Sequence, residues 1–345
     1  MSTIGIASLY IPDFAPLWIA LLVSGIFAYP IYRLLLQLKS RQIISQFVQE
    51  HQKKQGTPTM GGLITMVGVC VALTVVRDYN ALIIAAGFAL IGFTDDFILP
   101  KLIKGNRGLE WKVKLILQIV VVLVASFARA SLPGALALII TLFWILFFSN
   151  AYNFSDGMDG LAGSILLSLS AGLGAIAMIG GHGNDGTIPI CAALFGGIIP
   201  FLFLNVPPAK MFMGDVGALP IGALLGIVVD RLLSVDIHVL AFTDVPAGYT
   251  PPPPVFHEFP WQSPLFWPVA IVSLVMIISL VPVPIQIASV KLRKRRIFPM
   301  TPIHHAFEKA GWPETRIVGW YALVQIVCSI AGVTLALWGM TWLPT

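Results

Sequence analysis

Aspartates carry the clearest chemical signal in this sequence. Asp95 and Asp96 are adjacent, Asp156 and Asp159 lie three residues apart in a glycine-broken stretch, and Asp215 follows a glycine. Carboxylates suit a hard divalent cation such as Mg²⁺, which prefers oxygen ligands. Each of these residues borders a long apolar run, and a carboxylate near a membrane is costly unless it is paired or used. We therefore treat all five as candidate site residues.

Two other stretches add groups that can bind phosphate, and the position of Asp215 adds a further feature. Residues 51–62 read His-Gln-Lys-Lys-Gln-Gly-Thr-Pro-Thr-Met-Gly-Gly, and their glycines let backbone N–H groups approach an anion. Asp215 is placed at a helix N-terminus, where the helix dipole stabilises its charge. His304 and His305 could bind metal, donate to phosphate or act as acid or base. Together with the aspartates, these groups indicate phosphoryl transfer, which depends on positioning and charge neutralisation.

The composition places these residues in a membrane. The chain has 345 residues, of which 57% are hydrophobic and 11% charged, against roughly 45–50% and about 25% in a soluble domain. The mean hydropathy is +0.88. This value excludes a cytosolic globular enzyme, a disordered chain and a nucleic-acid-binding module. Long unbroken apolar runs exclude a β-barrel, whose strands alternate. The prediction is an all-α polytopic membrane protein with a single integral-membrane domain over residues 1–345.

A bilayer core needs about 20 apolar residues per helix, and on this basis we predict about ten spans. A proline-rich loop at about 234–264, with prolines at 251–254, is interpreted as an external spacer. The ten spans are about 17–36, 61–76, 81–97, 114–128, 135–150, 161–179, 188–204, 215–233, 265–287 and 317–338.

Basic residues orient the spans. Lys and Arg are concentrated in loops that follow odd-numbered spans, while the even loops hold only Arg77, Arg129 and Arg231. By the positive-inside rule, the odd loops are cytoplasmic and both termini lie outside. All five candidate aspartates then fall at the cytoplasmic face. The basic run at 291–296 is interpreted mainly as a topology anchor or a contact with anionic lipid headgroups, with contact to an anionic substrate as the alternative.

Seven other acidic residues fall on the external side in this topology. We expect them to be solvated loop or helix-end residues without a role in the site. They are Asp13, Asp78, Asp185, Asp230, Asp236, Asp244 and Glu258.

Five motifs in order resemble the phospho-N-acetylmuramoyl-pentapeptide transferase family of the polyprenyl-phosphate N-acetylhexosamine-1-phosphate transferase superfamily. They are Gly-Thr-Pro-Thr-Met-Gly-Gly at 56–62, Ile-Gly-Phe-Thr-Asp-Asp-Phe at 91–97, Asn-Ala-Tyr-Asn-Phe-Ser-Asp-Gly-Met-Asp-Gly-Leu-Ala at 150–162, Phe-Met-Gly-Asp-Val-Gly at 212–217, and Pro-Ile-His-His-Ala-Phe-Glu at 302–308 followed by Gly-Trp-Pro-Glu at 311–314.

The resemblance implies a Mg²⁺-dependent enzyme in the bacterial cytoplasmic membrane. The implied reaction moves phospho-N-acetylmuramoyl-pentapeptide from UDP-MurNAc-pentapeptide to undecaprenyl phosphate, giving lipid I and UMP in peptidoglycan synthesis. Members of the family are commonly homodimers. An N-acetylglucosamine-1-phosphate transferase of the same superfamily is the nearest alternative. A secondary transporter is a remote one, because no inverted repeat or midplane charge is found.

The motif matches also imply roles for individual residues. The catalytic set is Lys54, Asp95, Asp96, Asp215 and His304, with Asp215 as the metal ligand. The substrate-binding set is Thr59, Asn153, Asp156, Asp159, Asn205, Phe212 and His305.

Two departures from the family pattern concern phosphate or uracil contacts. The family's third histidine is Ala306 here, and a lysine usual after the paired aspartates is Leu99. Lys101 or Lys104 is a candidate substitute for that lysine.

Overall fold

The computed structural model describes residues 14–38, 57–102, 108–127, 135–182, 185–234, 261 and 263–340. These residues form fourteen α-helices and one π-helical turn, Thr94–Ile98, between α3 and α4. The helices are α1 (Ala15–Leu38), α2 (Gly62–Val75), α3 (Tyr79–Phe93), α4 (Leu99–Leu102), α5 (Trp111–Phe127), α6 (Ala135–Ser155), α7 (Leu161–Ile179), α8 (Thr187–Asn205), α9 (Asp215–Ser234), α10 (Phe266–Val272), α11 (Leu274–Leu280), α12 (Pro282–Arg293), α13 (Ile303–Lys309) and α14 (Glu314–Met340).

The predicted all-α polytopic class is confirmed. Eight helical segments in the described part of the chain are long and apolar enough to cross a membrane. Two further predicted spans coincide with shorter helices, α2 with 14 residues and α5 with 17. The count of ten spans, and the orientation with both termini outside, stay predictions. The proline-rich loop lies almost wholly outside the described residues.

The ninth predicted span differs from the single helix expected over 265–287. It is divided into α10, α11 and α12. The backbone leaves the helical conformation at Ser273, whereas Val281, between α11 and α12, has helical angles (φ −58°, ψ −38°). Pro282 opens α12, and a proline at the first helical position has no backbone N–H to continue a preceding helix. The buried Gln286 lies on α12 and holds the segment that follows this helix. Its Oε1 accepts from the backbone N–H of Ile297 and Phe298, both at 3.0 Å.

Helix α9 forms the centre of the bundle and carries Asp215 at its first position. Nearly all of its residues are buried, and it packs against α2, α3, α6 and α8. At its N-terminal end, a Cβ on Gly92 of α3 would overlap the backbone carbonyl of Asp215. Small residues of this kind let membrane helices approach closely. The contact brings the end of α3 directly beside the start of α9.

Three of the aspartates that were predicted to be solvated loop or helix-end residues on the external side are paired or buried, although Asp78 does lie at a helix end. Asp78 accepts from the N–H of Ala81 at the start of α3 and pairs with Arg231 at 2.8 Å. Asp185 pairs with His182 at 2.7 Å, and Asp230 is only 8% exposed. Carboxylates that are largely shielded from water need partners. Asp13, Asp236, Asp244 and Glu258 lie outside the described residues.

The contact of Gly92 with α9 gives a direct stability test. We expect Gly92→Ala to destabilise the folded protein by about 1–3 kcal/mol, because the added methyl group overpacks a backbone contact. The measurement is the thermal unfolding midpoint in detergent.

Gly319→Ala on α14 is the matched control, because a Cβ there meets no atom within 4 Å. Its unfolding midpoint should equal or exceed that of the unchanged protein. Equal midpoints for Gly92→Ala and Gly319→Ala would contradict the close packing of α3 on α9.

Candidate active site

Three carboxylates converge at one end of the bundle. Asp95, Asp96 and Asp215 each place one carboxylate oxygen within 4.8 Å of the other two. Asp95 and Asp96 belong to the π-helical turn that follows α3, and Asp215 begins α9. π-Helical turns are rare and occur frequently at functional sites. The sequence prediction that these three residues share one face of the membrane is consistent with this arrangement.

Lys114 holds two of these carboxylates together. Its Nζ donates to Asp95 Oδ2 at 2.9 Å and to Asp215 Oδ2 at 2.5 Å. Lys114 lies in the first turn of α5, and sequence reasoning counted it only as a loop charge that orients the membrane spans. One sequence feature could have identified Lys114 as a site residue. It lies where a basic loop meets an apolar run, and the candidate aspartates were chosen because they border such runs.

Further donors satisfy the remaining oxygens of the same two carboxylates. Asn153, on the last turn of α6, donates its side-chain amide to Asp215 Oδ1 at 2.6 Å. The backbone N–H of Leu109 donates to Asp95 Oδ1 at 2.5 Å. Asn153 was predicted to be part of the site, and the structure brings it into direct contact with Asp215.

The turn before α9 is held by carboxylates from two other segments. Asp156 Oδ2 accepts from the N–H of Gly214 at 3.2 Å, and Asp96 Oδ2 accepts from the N–H of Val216 at 3.1 Å. Val216 lies in the first turn of α9, where backbone N–H groups have no partner within the helix. Gly214 has φ of +72°, which glycine adopts without steric cost.

The glycine-rich segment of the first loop pairs with the segment that precedes α9. Gly61 donates to the carbonyl of Phe212 at 2.7 Å, and Phe212 donates to the carbonyl of Pro58 at 2.9 Å. The pairing brings the buried Thr59 beside Gly214, because a Cβ on that glycine would lie 2.7 Å from Thr59 Oγ1. The Phe212 side chain is half-buried. Lys54 lies outside the described residues.

Asp159 and Asn205 fix the loops around the site through backbone contacts. Asp159 Oδ2 accepts from the N–H of Ala209 at 2.9 Å. Asn205 accepts from the N–H of Gly160 at 3.0 Å and donates to the carbonyl of Met211 at 2.9 Å. Both residues are nearly fully buried. Their contacts connect the loop after α6 with the segment between α8 and α9.

The two histidines of α13 have different surroundings. His304 is 1% exposed, and its burial, with the neighbouring His305, lowers the pKa of His304 to about 3. It is therefore a neutral imidazole at physiological pH. Its Nε2 points at Gly157, where a Cβ would lie only 2.6 Å away. His305 instead pairs with Glu308 at 2.9 Å.

Of the two lysines considered as substitutes for the family's lysine, only Lys101 lies among the described residues. Lys101 lies on α4, and its Nζ is 3.9 Å from the centre of the Phe97 ring. Leu99 begins the same short helix, and Lys104 lies outside the described residues. Ala306 follows the histidine pair on α13.

The donor set at this junction fits Mg²⁺. Three carboxylates from two chain segments provide the oxygen ligands that the ion prefers. Lys114 adds a positive charge at the edge of the same group, and an ammonium group is suited to an anionic ligand beside the ion. The arrangement can therefore hold a cation and a phosphate compound side by side.

Comparisons with known proteins agree with the site. Residues 79–232 match the family described as Glycosyl transferase family 4, and residues 54–64 match phospho-N-acetylmuramoyl-pentapeptide-transferase signature 1. Proteins named phospho-N-acetylmuramoyl-pentapeptide-transferase are similar over most of the chain. One from Picosynechococcus sp. is 34% identical, covering 90% of this chain and 84% of its own length. One from Heliobacterium modesticaldum is 35% identical, covering 83% and 86%, and one from Lactobacillus acidophilus is 34% identical, covering 84% and 86%.

Asp156 makes the stability of the loop after α6 depend on pH. Burial and the nearby Asp215 raise the pKa of the Asp156 carboxyl to about 7. Because this pKa is above its unfolded value, the folded state is favoured while the group is protonated, and that stability is lost as pH rises through about 7. We expect a loss of roughly 1 kcal/mol between pH 6 and pH 8 from this group.

Asp156→Asn removes the ionisation and retains an oxygen that can accept from Gly214. Its unfolding midpoint, measured with a chelator present, should therefore fall less between pH 6 and pH 8 than that of the unchanged protein. Parallel pH profiles for the two proteins would show that Asp156 does not titrate in this range.

Proposed function

Because the chain belongs to the phospho-N-acetylmuramoyl-pentapeptide transferase family, we propose that it transfers phospho-N-acetylmuramoyl-pentapeptide from UDP-MurNAc-pentapeptide to undecaprenyl phosphate. The products are lipid I and UMP, and the process is peptidoglycan synthesis. The observation that carries the proposal for this chain is the meeting of three carboxylates with Lys114 at the junction of α3, α5 and α9.

In this proposal Asp215 and Asp95 hold Mg²⁺, with Asp96 beside them. The three carboxylates supply hard oxygen ligands. When bound, the ion neutralises charge on the diphosphate of the donor and on the departing UMP. Asp96 also fixes the first turn of α9 through the N–H of Val216, so it positions Asp215 as well.

Positive charge for the phosphate oxygens comes from lysines. Lys114 already lies at the carboxylates, and the family motif assigns Lys54 to the same task. His304, with a pKa of about 3, acts as a neutral hydrogen-bonding partner. His304 therefore supplies no positive charge for the phosphate oxygens.

The proposed reaction is a direct single displacement. A phosphate monoester has a second pKa near 6 and is mostly dianionic at neutral pH. The acceptor phosphate can therefore attack the donor phosphorus without a strong general base. Asp95 or Asp96 orients the acceptor. A covalent phospho-N-acetylmuramoyl-pentapeptide adduct on either aspartate, formed with release of UMP from the donor alone, would contradict this mechanism.

The donor's nucleoside and sugar are assigned to the loops around the carboxylates. The half-buried Phe212 ring offers a stacking surface for uracil. Thr59, Asn153, Asp156 and His305 are assigned to polar contacts with the donor, while Asp159 and Asn205 position the loops that carry them.

An apolar cleft near His304 is assigned to the prenyl chain of the acceptor. The cleft has a volume of about 390 Å³ and an almost wholly apolar lining that includes Ile303, Phe307, Trp320 and Tyr321. The Tyr321 ring contacts His304 edge-on, with ring centres 6.2 Å apart. An acceptor with its chain in this cleft has its phosphate near the histidine pair.

The chain is a multi-pass membrane protein, and we place it in the bacterial cytoplasmic membrane with the site facing the cytoplasm, where nucleotide donors are made. The homodimer is carried over from the family resemblance and is part of the proposal.

A direct assay distinguishes the two sugar donors. The purified protein, given undecaprenyl phosphate and Mg²⁺, should release UMP from UDP-MurNAc-pentapeptide and not from UDP-N-acetylglucosamine. A chelator should abolish the release, and added Mg²⁺ should restore it. Release from UDP-N-acetylglucosamine alone would favour the related N-acetylglucosamine-1-phosphate transferase.

Asp215→Asn should lower kcat by at least about 100-fold, because it removes charge from the metal site. Asp230→Asn is the matched control, since Asp230 lies on the same helix and accepts from Thr141 Oγ1 at 2.9 Å. We expect its activity to stay near that of the unchanged protein. Near-normal turnover by Asp215→Asn in Mg²⁺ would disprove the metal assignment.

A further inference from the structure

The ammonium group of Lys114 lies where a metal ion would bind. Its Nζ contacts Asp95 Oδ2 and Asp215 Oδ2 at 2.9 and 2.5 Å. Those two oxygens belong to the carboxylates grouped within 4.8 Å. A Mg²⁺ ion binds carboxylate oxygens at about 2.0–2.1 Å. One ion shared by Asp95 and Asp215 therefore takes the space that the ammonium now fills.

The other oxygens of the same two carboxylates are already engaged. Asp215 Oδ1 accepts from Asn153, and Asp95 Oδ1 accepts from the N–H of Leu109. Neither donor belongs to the lysine, so neither contact depends on Lys114. The two Oδ2 atoms are the ones that a cation can bind, and the Lys114 ammonium contacts both of them.

We propose that Lys114 is an exchangeable counter-ion, which neutralises Asp95 and Asp215 before the metal binds and is displaced from them when Mg²⁺ enters. The inference rests on the proposed function for the presence of the metal. It adds an order of events: the lysine leaves the carboxylates as the metal arrives.

The side chain of Lys114 suits this exchange. It is 19% exposed, so it borders the open part of the site and is not sealed within the bundle. Lysine carries a compact charge on a flexible four-carbon stem, so its ammonium can move by several ångströms without a change in α5. A divalent ion and an ammonium repel each other at contact distance, and both cannot keep the same two oxygens.

The first test measures metal affinity in the absence of substrates. Mn²⁺ is titrated into the purified full-length protein, and free Mn²⁺ is followed by electron paramagnetic resonance. Lys114→Met should bind Mn²⁺ more tightly than the unchanged protein by about tenfold or more, the effect of one neighbouring charge on a carboxylate. An equal or weaker affinity would overturn the proposal, because the lysine would then not compete with the metal.

Lys112→Met is the matched control on the same helix. Lys112 is exposed and lies near the Trp111 ring, with its Nζ 5.8 Å from the ring centre. The variant loses one positive charge two residues away from Lys114, so it reports the general electrostatic effect. We expect its Mn²⁺ affinity to stay within about twofold of the unchanged protein. A gain equal to that of Lys114→Met would assign the effect to net charge and overturn the exchange.

A second measurement needs no variant and remains decisive if Lys114→Met fails to fold. The protein is treated briefly with an amine-acylating reagent, and modification of each lysine is quantified by mass spectrometry. Saturating Mg²⁺ should increase the acylation rate of Lys114 severalfold over the rate in NaCl of equal ionic strength, and should leave Lys112 unchanged. An unchanged or slower rate at Lys114 would contradict displacement.

These outcomes are separable from those of the transferase assay. Turnover of the UDP-linked donor with no rise in Mn²⁺ affinity in Lys114→Met refutes the exchange and leaves the proposed function intact. Tighter Mn²⁺ binding with no UMP release from either donor supports the exchange and refutes the proposed function.

Discussion

Electrostatic repulsion among three carboxylates is the constraint on which the rest of this structure depends. Asp95, Asp96 and Asp215 are held within 4.8 Å of one another at the end of an apolar bundle. Negative charges at this spacing are tolerated only when cations or hydrogen-bond donors face them. Lys114, the amide of Asn153 and the backbone N–H groups of Leu109 and Val216 supply that compensation. The close packing of Gly92 on α9 makes the grouping unavoidable.

Charged and neutral groups are separated in space around the site. The carboxylates and Lys114 gather where α3, α5 and α9 meet, whereas the neutral His304 lies on α13 beside an apolar cleft. Gly157 lies between these two regions, since its backbone adjoins the His304 ring and it follows Asp156. A polar phosphate centre next to an apolar groove suits a reaction that joins a water-soluble donor to a lipid.

Site residues could be predicted from the sequence where the predicted side of the membrane or a local motif identified them. Charge in the loops placed the aspartates on one face, and local motifs identified Asn153 and Asp156. Lys114 was missed because its place at the start of an apolar run was interpreted only as a charge that orients the membrane spans. Its contacts with Asp95 and Asp215 depend on the packing of α5 against α3. The ninth span was expected to be one helix because its apolar run is continuous, although Pro282 lies within it. The buried pairing of Asp78 with Arg231 likewise depends on a tertiary contact.

Helix α2 has a consequence for the membrane itself. Its 14 residues rise about 21 Å, which is less than the roughly 30 Å of a bilayer's hydrocarbon core. A helix shorter than the bilayer is accommodated by local thinning of the lipid. The glycine-rich segment that precedes α2 pairs with the segment before Asp215, so if α2 is one of the predicted spans, thinning beside it would bring the water surface toward the carboxylates. The lipid phosphate and the nucleotide would then meet in a dimple of the membrane rather than above its plane.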